Sequence, residues 1–141
     1  MGVTIGRLAN LAGINVETIR FYERRGLVTQ PAKPTRGYRQ YPEEAIRRLT
    51  FIKRSKSLGF TLGEISELLS MSEDAKATCG NIEERAKKKI AEIKDKITRL
   101  ESMKRALEIL SAPCEGEELA RSCPLIEALN ADAKKLTNMM K

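Results

Sequence analysis

The longest regular pattern of apolar and polar positions covers residues 81–110, a stretch that contains neither glycine nor proline. Apolar residues recur there at alternating steps of four and three, at Ala86, Ile90, Ile93, Ile97 and Leu100. This spacing is typical of a coiled-coil helix. Thirty helical residues extend over roughly 45 Å, and one small domain cannot cover so long and narrow an apolar stripe. We therefore predict a dimerisation helix over residues 81–112 that packs against a second copy of the chain.

Two shorter patterns near the N-terminus predict a helix-turn-helix unit. Thr4 is a suitable N-cap for a first helix that ends at Gly13, and a second helix over residues 16–25 ends before Gly26. Such a pair is a weak signal alone, because many small helical bundles contain one. The second helix strengthens the prediction, since its threonine, arginine and tyrosine side chains are suited to contact base edges and phosphates.

The loop that follows, residues 27–41, is basic and contains two prolines and a glycine. Residues 38–41 predict a short strand within it. A basic hairpin beside a helix-turn-helix unit is typical of a wing that contacts the DNA backbone. A surface loop with incidental charge is the alternative interpretation.

Two further helices complete the predicted head, residues 1–70. Pro42 opens the first of them and Gly59 ends it, while Thr61 and Glu64 form a capping box at the start of the other. The predicted fold class is therefore all-α with a small wing, a winged helix-turn-helix head joined to a long coiled-coil dimerisation helix.

The rest of the chain is divided by composition. A polar hinge over residues 71–80 precedes the dimerisation helix, and a metal-binding loop with a short final helix covers residues 113–129. That final helix is predicted over residues 125–129 only, because Pro124 suits a first helical position. Residues 130–141 are polar and are predicted to form a C-terminal tail.

Positive charge is concentrated in the first half of the chain. The sequence has 26 Lys and Arg against 19 Asp and Glu, and residues 1–70 hold 12 of the former against 6 of the latter. The remaining residues are close to neutral. This distribution favours a polyanion such as DNA as the partner of the head, although charge that only serves solubility is the plainer alternative.

Composition also excludes several classes of protein. No apolar run approaches the roughly 20 residues that span a bilayer, and the first residues lack the form of a secretion signal. Three cysteines are an odd number, which argues against a disulfide framework and fits a reducing compartment. We therefore expect a cytoplasmic protein that does not enter a membrane.

The three cysteines flank the long predicted helix. Cys79 precedes it, while Cys114 and Cys123 follow it and are separated by eight residues. A thiolate-bound metal needs its sulfur ligands close together, and the helix keeps Cys79 away from the other two in one chain. Two antiparallel copies would bring Cys79 of one chain beside Cys114 and Cys123 of the other.

Cysteines also serve as small apolar core residues, which is the alternative interpretation of all three. Their positions at helix boundaries, two of them in a loop rich in glutamate and glycine, favour a metal site. The chain has no histidine, so a four-ligand zinc site would need glutamate or water, whereas three thiolates suit a soft ion. A thiol redox protein or thiol enzyme is a weaker alternative, because the chain has no Cys-x-x-Cys motif and no histidine base.

Three segments resemble the MerR family of transcriptional regulators. They are residues 18–27 (TIRFYERRGL), 37–41 (GYRQY) and 58–65 (LGFTLGEI). With the long helix, the resemblance covers nearly the whole chain and implies a winged helix-turn-helix head on an antiparallel dimerisation helix. It implies DNA contacts from Thr18, Arg20, Tyr22, Arg36, Tyr38, Arg39 and Lys56. Tyr41 is expected either to contact DNA or to pack beneath the wing.

The effector end is similar to that of the mercury-responsive members of this family. The spacing of Cys79, Cys114 and Cys123 matches, and residues 123–129 (CPLIEAL) resemble the ending of that subgroup. The resemblance implies that Cys79 of one subunit and Cys114 and Cys123 of the other hold Hg(II) in a three-coordinate site. Sensors of Pb(II), Cd(II) or Zn(II) with the same architecture are the alternatives.

The resemblance also implies a mechanism without catalysis. Family members bind as homodimers to promoters with an overlong spacer, and the form without metal represses. Metal binding changes the positions of the two heads, and the dimer then bends and untwists the DNA so that RNA polymerase can open it. The chain is accordingly expected not to be an enzyme.

Overall fold

The computed structural model describes residues 2–140, apart from the side chains of Asp132 and Lys134. The structure is mostly helical, which confirms the predicted all-α class, and within residues 2–140 no β-strand forms. Its elements are α1 (Ile5–Ala12), α2 (Val16–Arg24), α3 (Glu43–Ser57), α4 (Leu62–Glu73), α5 (Cys79–Ser111), a 3₁₀ turn (Ala120–Ser122) and α6 (Pro124–Met139).

The chain divides into two compact units, residues 1–89 and 90–141. The boundary lies inside α5, so the first unit contains the predicted head and also the first three turns of the long helix. In the described part of the chain no helix is long and apolar enough to cross a membrane.

The first two helices begin and end where local chemistry favours it. The Thr4 hydroxyl accepts a hydrogen bond from the Arg7 amide at 3.3 Å, and Gly13 ends α1 in the left-handed conformation at a φ of 70°. A side chain with a β-carbon avoids that conformation, which is why glycine suits this position. The Asn15 side chain caps α2, and Gly26 follows the end of that helix at a φ of 75°. The predicted helix-turn-helix boundaries are confirmed.

The core of the first unit is aliphatic and small. α1 packs against α2 and α3, and α3 packs against α4. The core residues come from all four helices and from the loop between α2 and α3: Leu8, Ala9, Ala12, Ile19, Tyr22, Leu27, Val28, Tyr41, Ala45, Leu49, Ile52, Ile65 and Leu69. This core fixes the direction of the exposed faces of α2 and of the loop.

The predicted wing strand is not formed. Residues 38–41 make one isolated antiparallel bridge, in which Val3 and Tyr41 exchange backbone hydrogen bonds of 2.9 and 2.7 Å. The backbone of Tyr41 therefore pairs with the N-terminal segment and not with another part of the loop. One bridge is too short to count as a strand, but it ties the end of the loop to the start of the chain.

The hinge is shorter than predicted, since α4 continues to Glu73 and α5 already begins at Cys79. Thr78 and Asn81 explain the early start, because they cap the helix reciprocally. The Thr78 amide donates to Asn81 Oδ1 at 2.8 Å, and the Asn81 amide donates to Thr78 Oγ1 at 3.3 Å. Cys79 is consequently the first residue of the long helix.

The predicted length of the last helix is wrong. α6 runs over 16 residues, from Pro124 to Met139, where a turn over residues 125–129 and a polar tail were expected. Ile126, Leu129 and Leu136 recur at helical spacing and give this mostly polar segment one apolar face. Proline at the first helical position is confirmed.

Candidate DNA interface and cysteine sites

Helix α2 presents a polar face at its N-terminal half. Asn15 Oδ1 accepts two hydrogen bonds from Thr18, one from its amide and one from its hydroxyl, both at 2.8 Å. The Arg20 side chain is 54% exposed and pairs with Glu17 at 3.2 Å. An exposed pair of this kind contributes little to stability. Arg20 can therefore leave Glu17 for a phosphate or a base edge at small cost.

Tyr22 lies on the opposite face of α2 and corrects one predicted contact. It is 5% exposed and belongs to the core with Ile19, three residues earlier on the same side of the helix. Burial raises the pKa of its phenol above the ordinary value. Tyr22 therefore packs inside the head rather than presenting its ring to DNA.

The loop after α2 exposes two of its predicted DNA contacts and anchors a third. Arg36 is exposed and Tyr38 is 80% exposed, on either side of Gly37 at a φ of 81°. The Arg39 Nε donates to the Pro31 carbonyl at 2.9 Å, which closes the loop on itself. An exposed aromatic ring beside an arginine is suited to lie against a nucleic-acid backbone.

A cleft of about 380 Å³ joins α2 to this loop. Arg20 lines it from the helix, while Tyr38 and Arg39 line it from the loop. Three of the predicted DNA contacts are thus brought to one side of the head. Ile5 and Tyr41 supply apolar side chains to the lining of the same cleft.

Tyr41 fixes the loop against α2. Its side chain is 2% exposed, and its hydroxyl donates to Glu23 Oε2 at 2.7 Å. Burial, followed by the hydrogen bond to the Glu23 carboxylate, raises the pKa of Tyr41 to about 12. Of the two roles expected for Tyr41, packing beneath the wing is the one that the structure confirms.

Lys56 and Thr18 complete the predicted DNA contacts but do not line this cleft. Lys56 is exposed in the last turn of α3. The sequence prediction left out Gln30, which lines a neighbouring hollow with Arg20, Glu23 and Arg24. Arg24 stands one helical turn after Arg20 and is one of the α2 arginines that the sequence indicates as suited to contact DNA.

The cysteines lie at the ends of helices. Cys79 is the exposed first residue of α5, Cys114 is exposed three residues after its end, and Cys123 is the half-buried N-cap of α6. All three thiols are free. Among residues 2–140 no group of three or more His, Cys, Asp or Glu side chains is placed to hold a metal ion.

The loop between Cys114 and Cys123 is acidic and turns at Gly116, whose φ is 90°. The amide of Glu115 donates to Glu118 Oε1 at 3.2 Å. Backbone N–H groups, first its own and then that of Glu115, hold the pKa of Glu118 below its ordinary value. The Glu118 carboxylate therefore folds the loop through hydrogen bonds from backbone amides, and Cys114 and Cys123 belong to the same unit of the chain.

Two family models match the chain. One describes the MerR HTH family regulatory protein and matches residues 3–72. The other describes the MerR DNA-binding region and matches residues 46–110. Together they span the head and nearly all of α5.

Related proteins agree with these models. The chain is 41% identical over 129 residues to the mercuric resistance operon regulatory protein of Bacillus cereus, covering 92% of this chain and 98% of the relative. Among solved structures, MerR of Bacillus megaterium in complex with mercury(II) is 40% identical with a TM-score of 0.70. The regulator PbrR691 of Ralstonia metallidurans in complex with lead(II) is 32% identical with a TM-score of 0.80. Each comparison covers 90% of this chain and 98% of the solved one.

These matches cover far more than half of the chain and agree with the geometry of its head. Family members are transcriptional regulators, so the prediction that the chain is not an enzyme is confirmed. The chain belongs to the MerR family of DNA-binding helix-turn-helix transcriptional regulators.

Proposed function

We propose that this chain is a homodimeric, Hg(II)-responsive regulator that represses its promoter without metal and activates it when Hg(II) is bound. The observation that carries the proposal is the position of three free thiols around one continuous helix of 33 residues. Relatives named for mercuric resistance support the choice of metal. Action on promoter DNA also fits the cytoplasmic location that the sequence predicts.

The length of α5 supports a site shared by two chains. A helix of 33 residues extends over about 50 Å. Cys79 is its first residue, and Cys114 follows its last residue by three positions. Thiolate–metal bonds are only about 2.3 Å long, so one chain cannot bring Cys79 to the other two thiols. Antiparallel pairing of two copies would place Cys79 of one copy beside Cys114 and Cys123 of the other, twice in each dimer.

The apolar stripe of α5 supports the dimer itself. Six large apolar side chains on this helix are between 39% and 61% exposed in the single chain: Ile90, Ile93, Ile97, Leu100, Met103 and Leu107. Apolar stripes of this size are seldom left in water, because burial of each such side chain contributes about 1.5–3 kcal/mol. Covering the stripe with a second copy is the arrangement that the coiled-coil spacing favours.

The ligand set favours a soft ion. Three thiolates without histidine suit Hg(II) better than a four-coordinate ion such as Zn(II). Pb(II) is the second candidate, because the lead-bound relative has the higher TM-score although its sequence identity is lower. We give more weight to sequence identity, since metal choice depends on side chains rather than on backbone similarity. Cd(II) and Zn(II) are further candidates for the same three thiolates.

The proposed mechanism is deformation of the promoter. Each base pair added to a promoter spacer rotates one polymerase element relative to the other by about 35°. Metal at the ends of the long helices would shift the two heads, and the bound dimer would bend and untwist the spacer for RNA polymerase. The exposed Arg20, Arg36, Tyr38 and Lys56 are proposed to hold the DNA, with Arg39 and Thr18 shaping the same surface.

A competition experiment tests the metal. Purified dimer is titrated with Hg(II), Pb(II), Cd(II) and Zn(II) under an excess of a low-molecular-weight thiol. We expect Hg(II) to be retained at two ions per dimer and to activate transcription in vitro from a promoter with an overlong spacer. Retention of Pb(II) or Zn(II) in preference to Hg(II) would contradict the assignment. Cys79→Ser should abolish the metal response but leave promoter binding intact, since the proposed DNA contacts lie in the head and Cys79 lies outside it.

A further inference from the structure

Lys89 is the one residue of α5 that is buried, with 9% of its side chain exposed. A buried lysine is uncommon, because its ammonium loses hydration unless another group replaces the water. The position is also unexpected in a helix whose other charged residues are exposed, apart from the half-buried Glu92. The side chains that contact Lys89 explain how its positive charge is kept in a buried position.

Lys89 contacts Glu64 and Phe60, which lie around the start of α4. Its Nζ donates to Glu64 Oε1 at 2.8 Å and lies 5.5 Å from the centre of the Phe60 ring. Glu64 also completes the capping box of α4, where the same oxygen accepts the Thr61 amide at 2.8 Å. One carboxylate oxygen thus joins the N-terminus of α4 to the side of α5. We call Lys89, Glu64 and Phe60 the Lys89 cluster.

The charge states of the cluster agree with its geometry. The hydrogen bond from Lys89, followed by that from the Thr61 amide, lowers the pKa of Glu64 to about 2. Glu64 is therefore ionised at neutral pH and matches the lysine. A cation over an aromatic face adds further attraction once it is partly desolvated.

A second contact joins the same two helices. Arg85, one turn before Lys89 on α5, pairs with Glu67, one turn after Glu64 on α4. Both side chains of this pair are about half exposed, so it contributes less than the Lys89 cluster. Two ion pairs about one helical turn apart nevertheless join the first turns of α5 to α4.

The cluster is close to Cys79 along the same helix. Lys89 lies ten positions after Cys79, or about 15 Å along the helix. We propose that Lys89 is a positioning residue for regulation, which fastens the start of α5 to α4 so that a displacement of Cys79 on metal binding moves the head. The inference rests on the proposed function and specifies which residue transmits the effector signal.

The test separates transmission from metal binding and from DNA binding. Lys89→Met keeps an unbranched apolar side chain but removes the charge, and Glu64→Gln keeps a capping residue but removes the anion. Lys89→Arg retains a cation able to reach Glu64 and Phe60. Lys87→Met is the matched control, because Lys87 lies on the same turn and pairs at 2.9 Å with the exposed Glu83.

Each dimer is measured for Hg(II) stoichiometry, promoter affinity and Hg(II)-dependent transcription. We expect Lys89→Met and Glu64→Gln to bind two Hg(II) ions and the promoter as the parent dimer does, yet to lose activation by at least about fivefold, the lower end of usual coupling effects. Lys89→Arg and Lys87→Met should activate normally. The double variant should lose about as much activation as the more impaired single variant, because both substitutions remove the same Lys89–Glu64 ion pair.

Several outcomes would overturn the inference. Activation retained by both Lys89→Met and Glu64→Gln would show that the cluster transmits nothing. Loss of promoter or Hg(II) binding in both variants would assign Lys89 to stability alone. A parent dimer that does not respond to Hg(II), by contrast, would contradict the proposed function itself, and this result is distinguishable because it appears without any substitution.

Discussion

Replacing Tyr41 by phenylalanine removes one hydroxyl from the contact that fixes the loop to α2. The side chain is 2% exposed and its hydroxyl donates to Glu23 at 2.7 Å. A hydrogen bond to a charged acceptor contributes about 1.5–3 kcal/mol to stability. Glu23 is half-buried and can recover water, so we expect a loss of about 1–2 kcal/mol for Tyr41→Phe. The ring remains in place, and the core is preserved.

The pH dependence gives a second measure of the same contact. The pKa of Tyr41 is raised to about 12 in the folded chain from about 10. The neutral phenol is thus favoured by folding, and its contribution is fully present below about pH 10 and lost as pH rises through about 12. A shift of about two pKa units corresponds to at most about 2.7 kcal/mol. Tyr41→Phe should lack this part of the alkaline loss.

The assay is urea denaturation followed by circular dichroism at one protein concentration, because the proposed dimer would make stability depend on concentration. Tyr38→Phe is the control, since Tyr38 is 80% exposed and should change neither the free energy of unfolding nor its pH dependence. Equal stability of Tyr41→Phe and the parent at neutral pH, together with an unchanged alkaline loss, would refute this account of the contact.

Further predictions concern the DNA face and the acid limit of stability. Arg20→Ala should weaken promoter binding by about 1–3 kcal/mol without changing the stability of the fold. Tyr22→Phe should leave promoter affinity unchanged, because Tyr22 lies in the core. Mobility-shift titrations measure both affinities, and a loss of affinity in Tyr22→Phe would show that Tyr22 does contact DNA. Since the pKa of Glu64 is lowered to about 2, its contribution to stability is present above about pH 4.5 and is lost as pH falls through about 2. In Glu64→Gln, the free energy of unfolding measured by urea denaturation should fall less between about pH 6 and pH 2 than in the parent. An equal fall in the variant and the parent would contradict the Lys89–Glu64 contact.

The boundaries of the head could be predicted from sequence because they depend on local chemistry. Thr4 and Gly13 define α1, and Thr61 with Glu64 starts α4 through a capping box that the structure contains. Such signals act within a few residues and need no knowledge of the rest of the fold. The coiled-coil spacing of α5 is equally local.

Features that depend on distant contacts were not predictable in this way. Tyr22 shares its face with Ile19, and only the packed head shows that this face is inward. The residue whose backbone pairs with that of Tyr41 is Val3, which lies 38 positions earlier in the sequence. Lys89 appears as a solvent-facing lysine in the heptad pattern, and only the approach of α4 buries it. The extent of α6 was missed because polar residues surround its apolar positions.

The shared metal site is tested most directly by a heterodimer of two complementary variants, Cys79→Ser in one subunit and Cys114→Ser with Cys123→Ser in the other. Different affinity tags allow the heterodimer to be purified, and bound Hg(II) with its number of sulfur neighbours is measured under excess competing thiol. We predict that neither variant homodimer retains a three-sulfur site, while the heterodimer retains one Hg(II) with three sulfur ligands. A heterodimer without such a site would contradict the arrangement of Cys79 of one subunit with Cys114 and Cys123 of the other.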